Sequence, residues 1–405
     1  MASPQTRIVY LNHTGKVSGA ERVLVNMVKR LDRKQFDPYV LCPEEGELSH
    51  LVTAVGVPCA PAPAVHARFT LRIDRLFKTA VSIGKAIIDV RRRLNWLNPD
   101  IVHANTLRAG IVASLAAIGT NRVVIWHVHD ILPRHPLSAA IRCFAWLSRR
   151  TQIIAVSQAT AKAFCGRLPF RDRVLVIHNG TDLNAFPCKE PGSVRLKKQL
   201  GIPENSFLIC AVGQICARKG LLELLEAFER IHGSVPQMHL AIAGKVIFVH
   251  EEKYFESLLR AVGGPEMSER VHFLGEIRDV SSLMQASDLL VLNSHEEPFG
   301  LVLVEAMSSG TPVLATRVGG IPEIVKDSEN GWLIEKSDTA GLSRKMLELS
   351  QSKDLLEKAA QYARHETCPE FSLDKFQSRL QRFYTETAAK HRHVVGGHHS
   401  ISTCL

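Results

Sequence analysis

Short aliphatic, β-branched runs alternate with segments of helical period from one end of this chain to the other, and that alternation admits few folds. In the first half the runs are residues 8–11, 39–42, 101–104, 123–126, 153–156 and 174–177; in the second they are 208–212, 240–243, 271–274, 289–292 and 313–316. Each is a short β-rich run, and each is followed by helix-period sequence or a turn. That predicts parallel sheets covered by helices on both sides. A chain of 405 residues exceeds what one ordinary core supports. The expected class is therefore α/β, with two Rossmann-like doubly wound parallel-sheet domains facing a central cleft. Residues 1–187 form the first and 188–386 the second, with its last helix free to pack back on the first. The linker falls in 183–205, where Pro187, Pro191, Gly192, Gly201 and Pro203 cluster. Residues 387–405, with His391, His393, His398 and His399, are expected to be a disordered tail.

Charge is divided unevenly between the halves. The net charge is +10. Residues 1–187 hold 25 Lys and Arg against 12 Asp and Glu, whereas residues 188–405 hold 25 against 28. The densest part, 68–93, interleaves Arg68, Arg72, Arg75, Lys78, Lys85, Arg91, Arg92 and Arg93 with apolar residues at three- and four-residue steps. Such an amphipathic basic helix suits an anionic membrane surface, or simply packs its apolar face on its own sheet. The nine cysteines contain no C-x-x-C pair, which argues against zinc ribbons and disulfide frameworks and suits a reducing compartment. The chain enters a strand pattern at Arg7 with no signal-like apolar stretch before it, and no run is long enough to cross a bilayer. A cytoplasmic protein, able to sit peripherally at the inner face of a membrane, is the expectation.

In open parallel sheets ligands bind beyond the carboxyl ends of the strands. The richest exit is the run Ser294-His-Glu-Glu-Pro-Phe-Gly-Leu-Val-Leu-Val-Glu305 after the apolar segment 289–292. It places Glu297 above the sheet and Glu305 just over one turn inside a helix starting near Gly300. The first amides of that helix, at Phe299, Gly300 and Leu301, have no partner within it and suit an anion. Carboxylates suit hydroxyls, so a ligand with a sugar, a diphosphate and a ribose would satisfy the set. Taken alone, the same residues also read as a loop acid and a helix-surface acid. The exit at 212–220 carries Gly213 for close backbone approach, with Arg218 and Lys219 beside a helix opening at about Lys219, a setting that favours a diphosphate. Gly319, Gly320 and Pro322 read mainly as turn and helix-start residues. In the first half, Ser18 and Gly19 offer backbone donors ahead of Glu21, the 123–130 segment sets His127, His129 and Asp130 at a strand exit, and Asn179-Gly180 with Asp182 closes the last strand.

With these motifs assembled, the chain resembles the retaining glycosyltransferases of family 4, which have the GT-B fold. The resemblance runs from Ser18-Gly19-Ala20-Glu21-Arg22 through the His178-Asn-Gly-Thr-Asp182 turn and Lys219-Gly220 to the Glu297-x7-Glu305 run, its most specific part. It implies a nucleoside diphosphate sugar as donor substrate and no cofactor. Glu297, His127, His129 and Lys219 then stand as the catalytic set, with either histidine able to be the crevice residue. Gly19, Gly213, Arg218, Lys219, Ser294, Glu297, Phe299, Gly300, Leu301 and Glu305 bind the donor, Glu297 holding sugar hydroxyls and Glu305 the ribose. Three positions depart from the family pattern. Gln214-Ile215 replaces Arg-Leu, leaving Arg218 to stand in for the phosphate-binding arginine; Ser18 replaces a glycine; and Asn293 replaces a proline.

The implied chemistry is transfer to an acceptor hydroxyl with retained anomeric configuration. Cationic side chains and helix amides would offset the charge on the leaving diphosphate. The chain has no D-x-D run, which fits metal independence. The basic first domain points to a lipid-linked or glycan acceptor in cell-surface polysaccharide or lipopolysaccharide assembly. A sugar-nucleotide epimerase or a starch-type synthase fits the same fold. A nucleic-acid binder is disfavoured, since the cations lack an aromatic stacking platform and the crevice glutamates repel phosphates.

Overall fold

The computed structural model describes residues 5–65, 73–170, 173–188, 195–235 and 237–399. The chain divides into two compact units, one running to Asn179 and resuming at Phe376, the other spanning Gly180–Lys375.

The first unit is built on a seven-stranded sheet: β1 (Thr6–Leu11), β2 (Phe36–Cys42), β3 (Cys59–Pro61), β4 (Ile101–Ala104), β5 (Val123–Val128), β6 (Thr151–Ala155) and β7 (Val174–Val176), in the order β3-β2-β1-β4-β5-β6-β7. The second holds β8 (Phe207–Val212), β9 (Met238–Ala243), β10 (Val271–Gly275), β11 (Leu289–Leu292), β12 (Val313–Thr316) and β13 (Trp332–Ile334), in the order β10-β9-β8-β11-β12-β13. Every named strand pair is parallel. Both orders reverse direction once, at β1/β4 and at β8/β11, and ligands of such sheets seat at this reversal. Central strands β4, β5, β9, β11 and β12 are buried at every position, which is why their sequences are mainly apolar.

Several boundaries differ from expectation. The division at Asn179/Gly180 precedes the expected 187/188, because the Asn179–Asp182 turn pairs with the far end of the second unit: Thr181 N donates to Phe371 O at 3.0 Å and Leu373 N to Thr181 O at 2.8 Å. At the other end the second unit stops at Lys375 rather than 386. The long helix Leu373–His399 carries its apolar face onto the first sheet, with Tyr384 edge-on to Tyr10 and Phe36, Gln377 bonded to Met27 O and Gln381 to the Asp32 amide. That helix runs on to His399, within the segment 387–405 expected as a disordered tail, of which residues 400–405 lie outside the described residues. Of the basic segment, Arg68 and Arg72 lie outside the described residues. The remainder falls in helix Ile73–Leu97, whose Ala86, Val90, Leu94 and Leu97 pack into the first core, while Lys85, Ile88, Arg91, Arg92 and Trp96 are exposed. Among the described residues no helix is long and apolar enough to cross a membrane.

Candidate active site

The exits of β8 and β11 meet at the reversal of the second sheet, and the backbone there is tied together before any ligand is considered. Asn293 Nδ2 donates to Gly220 O at 2.9 Å, and His295 N donates to Arg218 O at 2.8 Å. Thr316, at the end of β12, donates its hydroxyl to Ser294 O at 2.6 Å, and Gly320 N donates to Glu297 O at 2.9 Å. Gly220 is left-handed (φ 60°), and a Cβ there would stand 2.1 Å from Asn293 O, so only glycine lets the two exits approach.

Within this frame Lys219 Nζ lies 2.6 Å from Glu297 Oε2, with the two side chains 14% and 10% exposed. Ser294 Oγ donates to the same carboxylate oxygen at 3.2 Å. Burial alone would raise the Glu297 pKa. The Lys219 charge and hydrogen bond, the Arg218 charge and the Ser294 hydroxyl outweigh it and hold the carboxyl below its usual range. An ionised, oriented carboxylate suits ligand hydroxyls, while Lys219 is held where it can be shared with an arriving anion. Gly213 (φ 150°) sits against Lys219, and a Cβ there would lie 3.5 Å from Lys219 Cε.

Phe299 is buried and packs edge-on against Phe371. Gly300 (φ 102°) is the N-cap of helix Leu301–Ser308, and a Cβ there would lie 3.2 Å from Leu303 Cδ1 and 3.5 Å from Glu297 Cγ. Leu301 begins that helix, and Glu305, half-buried, lies on it one turn on. The expected helix at Lys219 begins instead at Leu221. Ala217–Lys219 is a 3-10 turn, and Leu221 N and Leu222 N are bonded to the Tyr254 hydroxyl at 3.0 and 3.2 Å. The first two amides of that helix are thus already engaged. Gln214, in the position of the absent arginine, donates to both Glu251 carboxylate oxygens at 2.8 Å.

In the first unit the exits at the reversal are those of β1 and β4. Glu21 is buried and works as a brace: its carboxylate accepts from Ser18 N at 3.0 Å, from the Ser18 hydroxyl at 2.5 Å and from Asn12 Nδ2 at 3.2 Å, and Asn105 bonds Asn12 in turn. Gly19 opens helix Gly19–Lys29 with no atom within 4 Å of where a Cβ would stand, so its surroundings are open. His127 and His129 occupy different settings. His127 lies inside β5, fully buried, with Nδ1 3.3 Å from His103 Nε2. His129 is half-buried just past the strand end, its ring 4.0 Å from that of His127. Burial brings His129 to about 3 and His103, with the His129 charge second, to about 3; His127 is driven well below its usual value by burial, then by His129 and His103. All three are neutral at physiological pH. His103 and Tyr384, which hold this cluster, were not singled out from the sequence, though a histidine within the apolar β4 run was a visible signal.

Two Rossmann-like parallel sheets, the second with a lysine–glutamate pair where its strand order reverses, define a protein of the GT-B class. The family model described as "Glycosyl transferases group 1" matches residues 194–366, and that described as "Glycosyltransferase Family 4" matches residues 17–185. The chain belongs to the family 4, group 1 glycosyltransferases. A crystal structure of Anabaena Alr3699/HepE in complex with UDP-glucose resembles it with a TM-score of 0.80 at 26% identity, covering 94% of this chain and 100% of that one. The UDP-Gal:alpha-D-GlcNAc-diphosphoundecaprenol alpha-1,3-galactosyltransferase of Escherichia coli is 25% identical over 361 residues, 86% of this chain and 89% of that enzyme. The N-acetyl-alpha-D-glucosaminyl L-malate synthase of Bacillus anthracis is 32% identical over 190 residues, 47% of this chain and about half the length of that relative, at 48%.

Proposed function

We propose that this glycosyltransferase moves a sugar from a nucleoside diphosphate sugar to an acceptor hydroxyl with retention of configuration, and that the acceptor is a lipid-linked glycan of cell-surface polysaccharide assembly. The observation that carries the reading is the buried Lys219–Glu297 pair at the reversal of the second sheet, with Arg218 nearby and Glu305 on the following helix. Cleavage of the anomeric bond puts negative charge on the leaving diphosphate. Lys219, Arg218 and the amides of Phe299, Gly300 and Leu301 meet it with fixed positive charge, which takes the place of a metal ion. Glu297 orients the sugar through its hydroxyls, Ser294 holds that carboxylate, and Glu305 takes the ribose. Gly213 lets the backbone approach the diphosphate.

Related proteins support the donor and acceptor classes: the Anabaena protein was crystallised with UDP-glucose, and the E. coli enzyme is named for a diphosphoundecaprenol-linked acceptor. A peripheral membrane site fits helix Ile73–Leu97, where Trp96 is 77% and Ile88 57% exposed beside Lys85, Arg91 and Arg92. A thermal-shift series with UDP-, GDP- and ADP-sugars tests the donor, since a ligand of the native state raises its melting temperature. One sugar nucleotide should stabilise the wild type, and Glu297→Gln should lose transfer without losing the fold; stabilisation by none of them would overturn the reading. Co-sedimentation with vesicles rich in anionic lipid should weaken with salt and with Arg91→Glu, and binding indifferent to both would remove the membrane part.

A further inference from the structure

Two thiols face each other at the outer edge of the first sheet. Cys42 closes β2 and Cys59 opens β3, and their sulfurs lie 3.5 Å apart. Cys42 is 1% exposed, Cys59 is half-buried, and both are free. The more accessible sulfur is the one able to ionise. A hydrogen bond from Cys42 holds the Cys59 thiol below its usual value against its burial, while that bond and burial together push Cys42 up. An accessible thiolate backed by a buried thiol is the arrangement of an attacking and a resolving cysteine.

The strand register decides what bond formation would move. Val40 is level with Cys59 and Cys42 with Pro61, so the two side chains meet on a diagonal. The sulfurs must close by about 1.5 Å to bond, less than half of one residue's rise along a strand. Strand β3 can supply that advance, since it is three residues long and lies at the sheet edge beside β2. Its forward end is tied to other loops. Ala62 N donates to Cys42 O at 2.9 Å and Val65 N to His13 O at 3.2 Å, while Leu48 N, beyond β2, donates to Gly15 O at 3.0 Å. Where a Cβ on Gly15 would stand, Glu45 O lies 1.9 Å away, so the exit loops of β1 and β2 are closely packed. An advance of β3 therefore presses on the loop that leads to Ser18 and Gly19.

We propose that Cys42 and Cys59 form a reversible disulfide, a modification site for low-molecular-weight disulfides, whose closure displaces the β1 exit loop and slows sugar transfer. The Cys59 thiolate attacks one sulfur of the incoming disulfide, forming a mixed disulfide and releasing one small thiolate. The Cys42 sulfur then attacks that of Cys59, and the second small thiolate leaves. The two protein thiols are oxidised to one disulfide, the small disulfide is reduced to two thiols, and the two protein protons end on those thiols. The bond needs nothing from the active site; its effect on rate rests on the glycosyl-transfer reading.

For the test, the full chain is incubated with glutathione disulfide, unfolded, alkylated and digested without reductant, and its peptides are weighed. The expected product is a peptide pair joined through Cys42 and Cys59, lighter by two hydrogens than its separate parts, while exposed Cys143 carries only a mixed disulfide. Transfer should fall several-fold, return with dithiothreitol and stay insensitive to glutathione disulfide in Cys59→Ser, with Cys143→Ser responding like the wild type. Glutathione retained on Cys59 with Cys42 alkylated would overturn the proposal, as would two unreacted thiols. A Cys42–Cys59 bond with an unchanged transfer rate would keep the site and overturn its coupling to the loop. If no sugar is transferred at all, the mapped bond alone decides the site.

Discussion

Replacing Lys219 by alanine isolates the electrostatics of the candidate site, because it leaves the Glu297 carboxylate buried with its main counter-charge gone. The two side chains are 14% and 10% exposed and 2.6 Å apart, so the pair counts as largely desolvated. Removing one partner of such a pair costs about 3–5 kcal/mol. Arg218 and the Ser294 hydroxyl still act on the carboxylate, which places the cost near the lower end. For a unit of this size about 3 kcal/mol lowers the melting temperature by about 6–12 °C. The sign with pH follows from the carboxyl. In the wild type its folded pKa is depressed, so its contribution is present above the ordinary carboxylate range and is lost as pH falls through the lowered value. Without Lys219 burial is far less opposed, so the deficit should be greatest near pH 7 and shrink as acid protonates Glu297. Thermal unfolding of Lys219→Ala at pH 7 and pH 4.5, beside Lys219→Ala/Glu297→Gln, reads all of this. The double variant should recover most of the loss at pH 7 because no buried charge remains. A single variant that melts like the wild type, or a double variant no more stable than the single, would refute the reasoning.

Two glycines should part company. Gly220→Ala forces a Cβ to 2.1 Å from Asn293 O at a left-handed position and should cost more than the roughly 1 kcal/mol of an ordinary left-handed alanine, visible as a lowered urea midpoint. Gly19→Ala meets no atom within 4 Å and should leave that midpoint unchanged, so that any loss of sugar transfer it causes reports a ligand in the space. The neutral histidines give stability a second pH dependence. With His103 and His129 lowered to about 3 and His127 lowered too, their contribution is complete above the unfolded value near 6.5 and drains away as pH falls below it, so chemical-denaturation stability of the first unit should decline from about pH 6.5 downward. A flat profile between pH 7 and 5 would contradict their burial as neutral rings.

What could be read from the sequence was whatever a local run specifies. The runs at β4, β11 and β12 coincide with the strands residue for residue, since both faces of these strands are buried and no solvent-facing position blurs the ends. Strands β3 and β13 went unseen because three residues, one of them Pro61, carry no period. The Glu297-to-Glu305 spacing was legible as one strand exit and one helix. The partner of Glu297 was not, because Lys219 lies 78 residues earlier and only the parallel order of β8 and β11 makes them neighbours. The same limit hid Tyr384, 281 residues from His103. Histidines in the last helix read as a polar tail because composition does not register a helix that simply continues from a packed stretch.

The central claim is that the second unit holds an activated sugar at the β8/β11 reversal. A crystal soaked with the nucleoside diphosphate sugar that best stabilises the protein tests it most directly. The account predicts the diphosphate within hydrogen-bond reach of Lys219 and the amides near Gly300, sugar hydroxyls on Glu297 and the ribose on Glu305; density for that ligand anywhere else on the chain, with this pair left untouched, would contradict it.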